Sequence, residues 1–186
     1  MSEYGSKIKN ILIGVTGSIS AYKANDLASA LSHSGYNVKG VFTASASKIT
    51  QPTTFGAITH TKPYVDENWF SDVEEVSHIA LAKWADLIIV YPASANTIAK
   101  LANGFSDNVL TSTVLAFEGM NLGKVIVVPA MNNFMYEAKP TQKNLESLKS
   151  MGFEIIEPIV GNLACGDSGK GHIAKVSDVV NFIKNL

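Results

Sequence analysis

Apolar residues fall in short blocks separated by longer stretches of helical spacing. Residues 8–15 (IKNILIGV), 36–43, 86–91 (DLIIVY), 124–128 (KVIVV) and 153–156 (FEII) are short and rich in β-branched side chains. They predict five strands. Residues 18–34 place Ala21, Leu27, Ala28 and Leu31 on one side of a helix, with Gly35 as its C-cap. Further helices are predicted over 76–83, 97–102, 107–117, 139–150 and 176–184. The strands are apolar throughout rather than alternating, and helices follow them. Such strands are covered on both faces, which implies parallel pairing. The predicted fold is an α/β domain over residues 1–186, a Rossmann-like or flavodoxin-like three-layer sandwich with a parallel sheet.

Composition narrows the classes. The chain has 186 residues, 46% hydrophobic and 17% charged, which is globular and not disordered. Fifteen basic and sixteen acidic residues give a net charge of -1, with no basic arm for nucleic acid and no polybasic membrane anchor. Cys165 is the only cysteine, so an intrachain disulfide and a cysteine-rich metal site are excluded. His33, His60, His78 and His172 share no metal-ligand spacing, so no metal is expected. The longest apolar runs are about six residues, far from the ~20 that span a bilayer. The first ten residues have no apolar core of a secretory signal, so a cytoplasmic location is expected.

In doubly wound sheets ligands bind beyond the carboxyl ends of the strands. The turns there are informative. In GVTGSIS (14–20), Gly17 allows a close backbone approach, and Ser18 adds a hydroxyl at a helix start. The motif is not GxGxxG, and no acidic residue closes the second strand, so NAD is not expected. The run PASANT places Ser94, Ala95, Asn96 and Thr97 at a second donor-rich helix start. Two such starts suit a mononucleotide phosphate, although plain N-capping reads the same way. In PAMNNFMY (129–136), Asn132 offers an amide to a carboxylate or carbonyl, while Met131, Phe134, Met135 and Tyr136 read mostly as a core stripe. GNLACGDSGKGH (161–172) holds four glycines around Cys165 and reads as a mobile loop able to bring a thiol over a site. Alone, His78 reads as structural.

Taken together, Gly17-Ser18, His78-Ile79, PASANT (92–97), ANGFSDNVLT (102–111), PAMN (129–132) and LACGD-x-G (163–169) resemble the flavin-dependent cysteine decarboxylases over essentially the full length. The match is to the line that serves coenzyme A biosynthesis. The resemblance implies FMN as cofactor, surrounded by Gly17, Ser18, Ile19, Thr43, Ser45, Ser94, Ala95, Asn96, Thr97 and Ala130. It implies His78 as the catalytic base and Cys165 as the proton donor of the last step. Asn132 would hold the substrate carboxylate, with Met131 and Ala164 beside it. It also implies a homotrimer or dodecamer, the substrate 4'-phosphopantothenoylcysteine, and a separate phosphopantothenate–cysteine ligase that makes it. The chemistry wants these residue types. Oxidation of the cysteine side chain to a thioaldehyde places the carboxylate β to an electron sink, CO2 leaves, and the resulting enethiolate must regain a hydride and a proton.

This chain departs from the family pattern twice. Tyr136 stands where the family often has Trp. His172 stands where it often has Arg, with Lys170 as a candidate replacement cation. Three alternatives are similar in fold: a lantibiotic-type peptidyl-cysteine decarboxylase, which lacks LACGD, a non-catalytic flavin-binding regulatory subunit, which has lost the base, and a prenyl-flavin synthase, whose GASG-type first turn and basic C-terminal motif this chain does not show. The presence of His78 and Cys165 speaks for the coenzyme A enzyme.

Overall fold

The structure, a computed structural model, describes residues 8–69, 77–162, 164, 166 and 168–186. The chain begins with β1 (Asn10–Val15), a 3₁₀ turn (Ile19–Lys23) and α1 (Ala24–His33), then β2 (Asn37–Phe42), α2 (Ala44–Ser47), α3 (Pro52–Thr59) and β3 (Tyr64–Val65). It continues through α4 (Ser77–Trp84), β4 (Leu87–Ala93), α5 (Ala95–Ala102), α6 (Val109–Gly119) and β5 (Lys124–Pro129). The last part holds α7 (Asn133–Glu137), α8 (Lys139–Ser150), β6 (Glu154–Ile155), β7 (Ile159–Asn162), β8 (Ser168–His172) and α9 (Val176–Lys184).

Six strands form one sheet in the order β3-β2-β1-β4-β5-β6, and every pair is parallel. This is the Rossmann order, with its switch point between β1 and β4. Alternation along β1 explains the three layers. Ile11, Ile13 and Val15 pack with Leu27 and Leu31 of α1 and Val179 and Ile183 of α9. Leu12 faces the other way, toward Leu81 of α4, Leu110 and Phe117 of α6, and Leu148 of α8. Each fully buried Leu or Ile contributes about 1.5–3 kcal/mol of transfer free energy, so a one-residue slip of β1 would exchange its two packing faces. All seven residues of β4 are buried, as expected for the strand beside the switch point. No helix among the described residues is long and apolar enough to cross a membrane.

Two local expectations are corrected. The single helix over 18–34 is a 3₁₀ turn followed by α1. Apolar spacing runs through both, from Ala21 to Ala24 and Leu27, so periodicity does not mark the junction. Among the described residues, the two sides of the glycine-rich segment are not a free loop, because β7 and β8 pair as an antiparallel hairpin; Cys165, between them, lies outside the described residues. Two of the segment's glycines serve close packing of β8. A Cβ on Gly171 would lie 2.2 Å from the carbonyl oxygen of Met131, and one on Gly169 would lie 2.8 Å from Cβ of Asn133.

Candidate active site

The carboxyl ends of β1 and β4 are joined by one buried side chain. Thr16 Oγ1 donates to the carbonyl of Pro92 at 2.7 Å and accepts from the N–H of Ser94 at 2.8 Å. Both strand ends are thereby held in register where the sheet order reverses. Behind this staple the turns after β1 and β2 meet. A Cβ on Gly17 would stand 2.6 Å from Cβ of Ser45, so only glycine lets these turns touch. Thr43 N–H donates to the carbonyl of Val15 at 3.1 Å.

Above the strand ends lies a cavity of about 680 Å³, lined from four directions. The first turn supplies Gly17, Ser18 and Ile19, and the turn after β4 supplies Ser94 and Ala95. The turn after β5 supplies Ala130, Met131 and Asn132, and the hairpin supplies Asn162, Ala164, Gly171 and His172. The volume suits a cofactor-sized ligand. Ile19 is apolar yet 63% exposed, which gives the cavity mouth an apolar face.

Most of the sequence-predicted residues converge here. Gly17, Ser18, Ile19, Ser94, Ala95, Ala130, Met131, Asn132 and Ala164 all line the cavity. Thr43 and Ser45 back the Gly17 turn instead of lining it. Asn96 is exposed outside the lining. Thr97 is buried and works through its neighbour: Ser94 Oγ donates to Thr97 Oγ1 at 3.2 Å and accepts from Thr97 N–H at 3.3 Å. The capping role foreseen for these hydroxyls is therefore real, and it fixes the Ser94 rotamer at the cavity wall. Asn132 caps α7, its Oδ1 accepting from Phe134 N–H at 2.9 Å. Phe134 and Met135 are 69% and 51% exposed, so the core-stripe reading holds for buried Tyr136 and for partly buried Met131, which packs against the core, and fails for the other two. Exposure follows from α7 being a five-residue helix on the rim, with a single face turned inward.

His78 is at the start of α4 and does not line this cavity. Its Nδ1 accepts from Trp69 Nε1–H at 3.2 Å, and the two rings meet edge to face with centroids 5.6 Å apart. With Nδ1 as acceptor, the neutral imidazole carries its proton on Nε2. Cys165 lies outside the described residues.

Sequence reasoning missed four supports: Thr16 as a staple, Lys23 on the wall, Trp69 beside His78, and Asp66. The Asp66 carboxylate accepts from Ala44 N–H and Val109 N–H, both at 3.1 Å, and so caps α2 and α6 together. A Thr directly after a buried strand was a usable signal for Thr16. Nothing in the spacing links Asp66 to two helices that start 22 and 43 residues away.

The hairpin is tied to the α7 rim at three points. Met131 N–H donates to the carbonyl of Gly171 at 3.1 Å. Tyr136 Oη donates to Glu157, which also accepts from Lys149 at 3.1 Å and Lys170 at 3.2 Å. Lys170 Nζ lies 5.4 Å over the Tyr136 ring. Burial pushes the Glu157 carboxyl up, but the Tyr136 hydroxyl and the two lysines outweigh it and hold it down at about 2. Burial, then Glu157, pushes the Tyr136 phenol far above its ordinary range. Tyr136 thus ties α7 to Glu157, and Lys170 pairs with Glu157 instead of lining the cavity.

A family model described as Flavoprotein matches residues 1–186. The chain is 42% identical over 176 residues to the probable phosphopantothenoylcysteine decarboxylase of Streptococcus mutans, covering 95% of this chain and 97% of that protein. It is 42% identical over 174 residues to the Coenzyme A biosynthesis bifunctional protein CoaBC of Bacillus subtilis, covering 94% of this chain and 42% of that protein. Among solved structures, a PPC decarboxylase mutant complexed with pantothenoylaminoethenethiol superposes with a TM-score of 0.87 at 30% identity, over 96% of this chain and 98% of that one. The FMN binding protein AtHal3 superposes with a TM-score of 0.82 at 30% identity, over 96% of both chains.

Proposed function

The chain belongs to the flavoprotein family, and on that premise we propose that it is an FMN-dependent carboxy-lyase. It converts 4'-phosphopantothenoylcysteine to 4'-phosphopantetheine and CO2 in coenzyme A biosynthesis. The observation that carries the reading is the cavity at the switch point, where three motif-bearing turns and the hairpin converge. Its residues fit FMN. Gly17 allows close backbone approach, and Ser18 and Ser94 stand at the starts of helical segments. No carboxylate lines the cavity among the described residues, so nothing there repels a phosphate. Ile19 and Met131 offer apolar surface to a planar ring.

When bound there, FMN supplies a reversible two-electron oxidation of the substrate's cysteine side chain, which activates the carboxylate toward loss. The chain's own residues orient the substrate and move protons. Asn132 holds the substrate carboxylate next to Met131 and Ala164. His78 takes the proton removed in the first step, at the Nδ1 lone pair now shared with Trp69. Cys165 returns a proton to the enethiolate in the last step. His78 lies outside this cavity in its own chain, which supports a homo-oligomer, trimer or dodecamer, in which α4 of one copy reaches the cavity of the next. The protein works in the cytoplasm as one flavoprotein domain, and a phosphopantothenate–cysteine ligase supplies its substrate.

The test is the visible spectrum of the purified protein together with CO2 release from 4'-phosphopantothenoylcysteine. An oxidised-flavin spectrum and stoichiometric CO2 are expected. A colourless protein that fails to bind FMN at micromolar concentration overturns the reading.

A further inference from the structure

Trp69 follows the 3₁₀ turn Asp66–Asn68 and stands beside His78. Its own N–H donates to the carbonyl of Asp66 at 3.3 Å. Asp66 is in turn fixed by its carboxylate, which caps α2 and α6. The Trp69 carbonyl accepts from Ser77 Oγ at 3.5 Å, which ties it to the first residue of α4. The indole packs against the core cluster that holds Leu81, one turn along α4 from His78. Backbone and ring are therefore anchored before the side chain reaches the histidine. There Nε1–H donates to Nδ1 at 3.2 Å, and the two rings meet at 80° with centroids 5.6 Å apart.

An indole N–H only donates. It needs a lone pair opposite, which a neutral imidazole offers on one nitrogen and an imidazolium on neither. The Trp69 bond and a proton on Nδ1 therefore exclude each other. While the bond holds, Nδ1 is bare, Nε2 carries the proton, and the edge contact fixes the plane of the ring. Once Nδ1 takes a proton, two N–H groups face each other and the bond opens. We propose that Trp69 is the positioning residue of the base: it holds His78 in the one tautomer and ring orientation in which Nδ1 receives the substrate's proton, and it gives way as that proton arrives. The proposal rests on the assignment of His78 as the base. Without the indole N–H the imidazole rotates and exchanges tautomers, so only a fraction of the molecules presents the Nδ1 lone pair. The loss falls on the proton-transfer step and leaves substrate capture alone. A packing role would need the aromatic ring and not its N–H.

The experiment compares FMN-loaded wild type, Trp69→Phe, His78→Asn and the double variant in CO2 release from 4'-phosphopantothenoylcysteine. Trp69→Phe keeps an aromatic ring and removes the N–H. It is expected to lower kcat about 10–100-fold, as for a misplaced catalytic group, with KM, FMN content and urea midpoint held. In the His78→Asn background the same change should cost nothing further, because Trp69 acts through the histidine. A second readout needs no turnover: nitrogen NMR of ring-15N-histidine protein at about pH 9, where an ordinary imidazole is neutral. The His78 signals are assigned by their loss in His78→Asn. Wild type should show a bare Nδ1 and a protonated Nε2, and in Trp69→Phe both signals should move toward the tautomer average. A kcat at or above the wild-type value overturns the proposal, as does an equal loss in both backgrounds. A raised KM or lost FMN also overturns it, since Trp69 would then be a binding or packing residue. If His78→Asn turns over near the wild-type rate, the base assignment falls, and unchanged His78 ring signals in Trp69→Phe would still overturn the tautomer role by themselves.

Discussion

Replacing Tyr136 by Phe removes one hydroxyl and leaves the buried ring in place. That hydroxyl donates to Glu157, the carboxylate that also receives Lys149 and Lys170. A hydrogen bond to a charged acceptor contributes about 1.5–3 kcal/mol. An independent figure comes from the carboxyl itself. Its ordinary value of 4.5 falls to about 2 in the fold, and that gap converts to roughly 3 kcal/mol for all its partners together. The Glu157 side chain is 42% exposed, so solvent screening reduces the total to about 1–2 kcal/mol, and the Tyr136 share to about 1 kcal/mol. For a chain of this size that is a Tm loss of about 2–4 °C.

The sign of the pH dependence follows from the depressed carboxyl. Its contribution is present above about pH 4.5 and is lost as pH falls toward 2. The Tyr136→Phe penalty should therefore be full at pH 7 and shrink steadily between pH 4.5 and pH 3. The assay is urea unfolding of wild type, Tyr136→Phe, Glu157→Gln and the double variant at pH 7, 5, 4 and 3, with protein and FMN concentrations fixed. The cycle isolates the coupling of the pair. A coupling near zero at pH 7, or a Tyr136→Phe penalty as large at pH 3 as at pH 7, refutes the reasoning.

Thr16→Val keeps the shape and orphans both the Pro92 carbonyl and the Ser94 N–H; about 2–4 kcal/mol of stability should be lost together with FMN retention, read by unfolding and flavin absorbance. His78→Asn should lower CO2 release about 10²–10⁴-fold with FMN still bound, and near-wild-type turnover would return His78 to a structural role. Asn132→Asp retains an oxygen to cap Phe134 N–H but opposes a substrate carboxylate with a second charge, so substrate affinity should fall while stability holds; unchanged affinity would remove Asn132 from the site. Cys165→Ser should decarboxylate yet stall before reduction, leaving the enethiol two mass units below 4'-phosphopantetheine in single-turnover mass spectrometry; saturated product at the normal rate would show that another group gives the proton.

The strands and most helices were legible because burial on both faces writes itself as unbroken apolar runs, as in Leu87–Tyr91 within β4. The turns that make the cavity were legible for a topological reason: they directly follow those strands, and Gly17, Ser94 and Asn132 stand where the sheet delivers them. Local capping and ligand contact demand the same residue types there, so spacing alone could not separate Ser94 from Thr97. The separation needed the fold: Ser94 lines the cavity, while Thr97 is buried behind it and bonded to its hydroxyl.

The less legible part is long-range. Glycines at 161, 169 and 171 suggest freedom when read along the chain. Across the fold, Gly171 and Gly169 are where β8 presses on Met131 and Asn133, at 2.2 and 2.8 Å from where a Cβ would sit, and Gly161 is where β7 meets His172, at 3.1 Å. One residue type thus encodes opposite mechanical properties, according to what lies opposite it. The same holds for charge. Lys170 was the candidate to replace a cation at the position of His172. Glu157 and Tyr136, 13 and 34 residues upstream, claim it, and Lys23, 147 residues upstream, takes the wall instead. Which lysine stands on the cavity wall is therefore decided by the partners the fold brings to each: Glu157 holds Lys170 away, and Lys23 lines the wall.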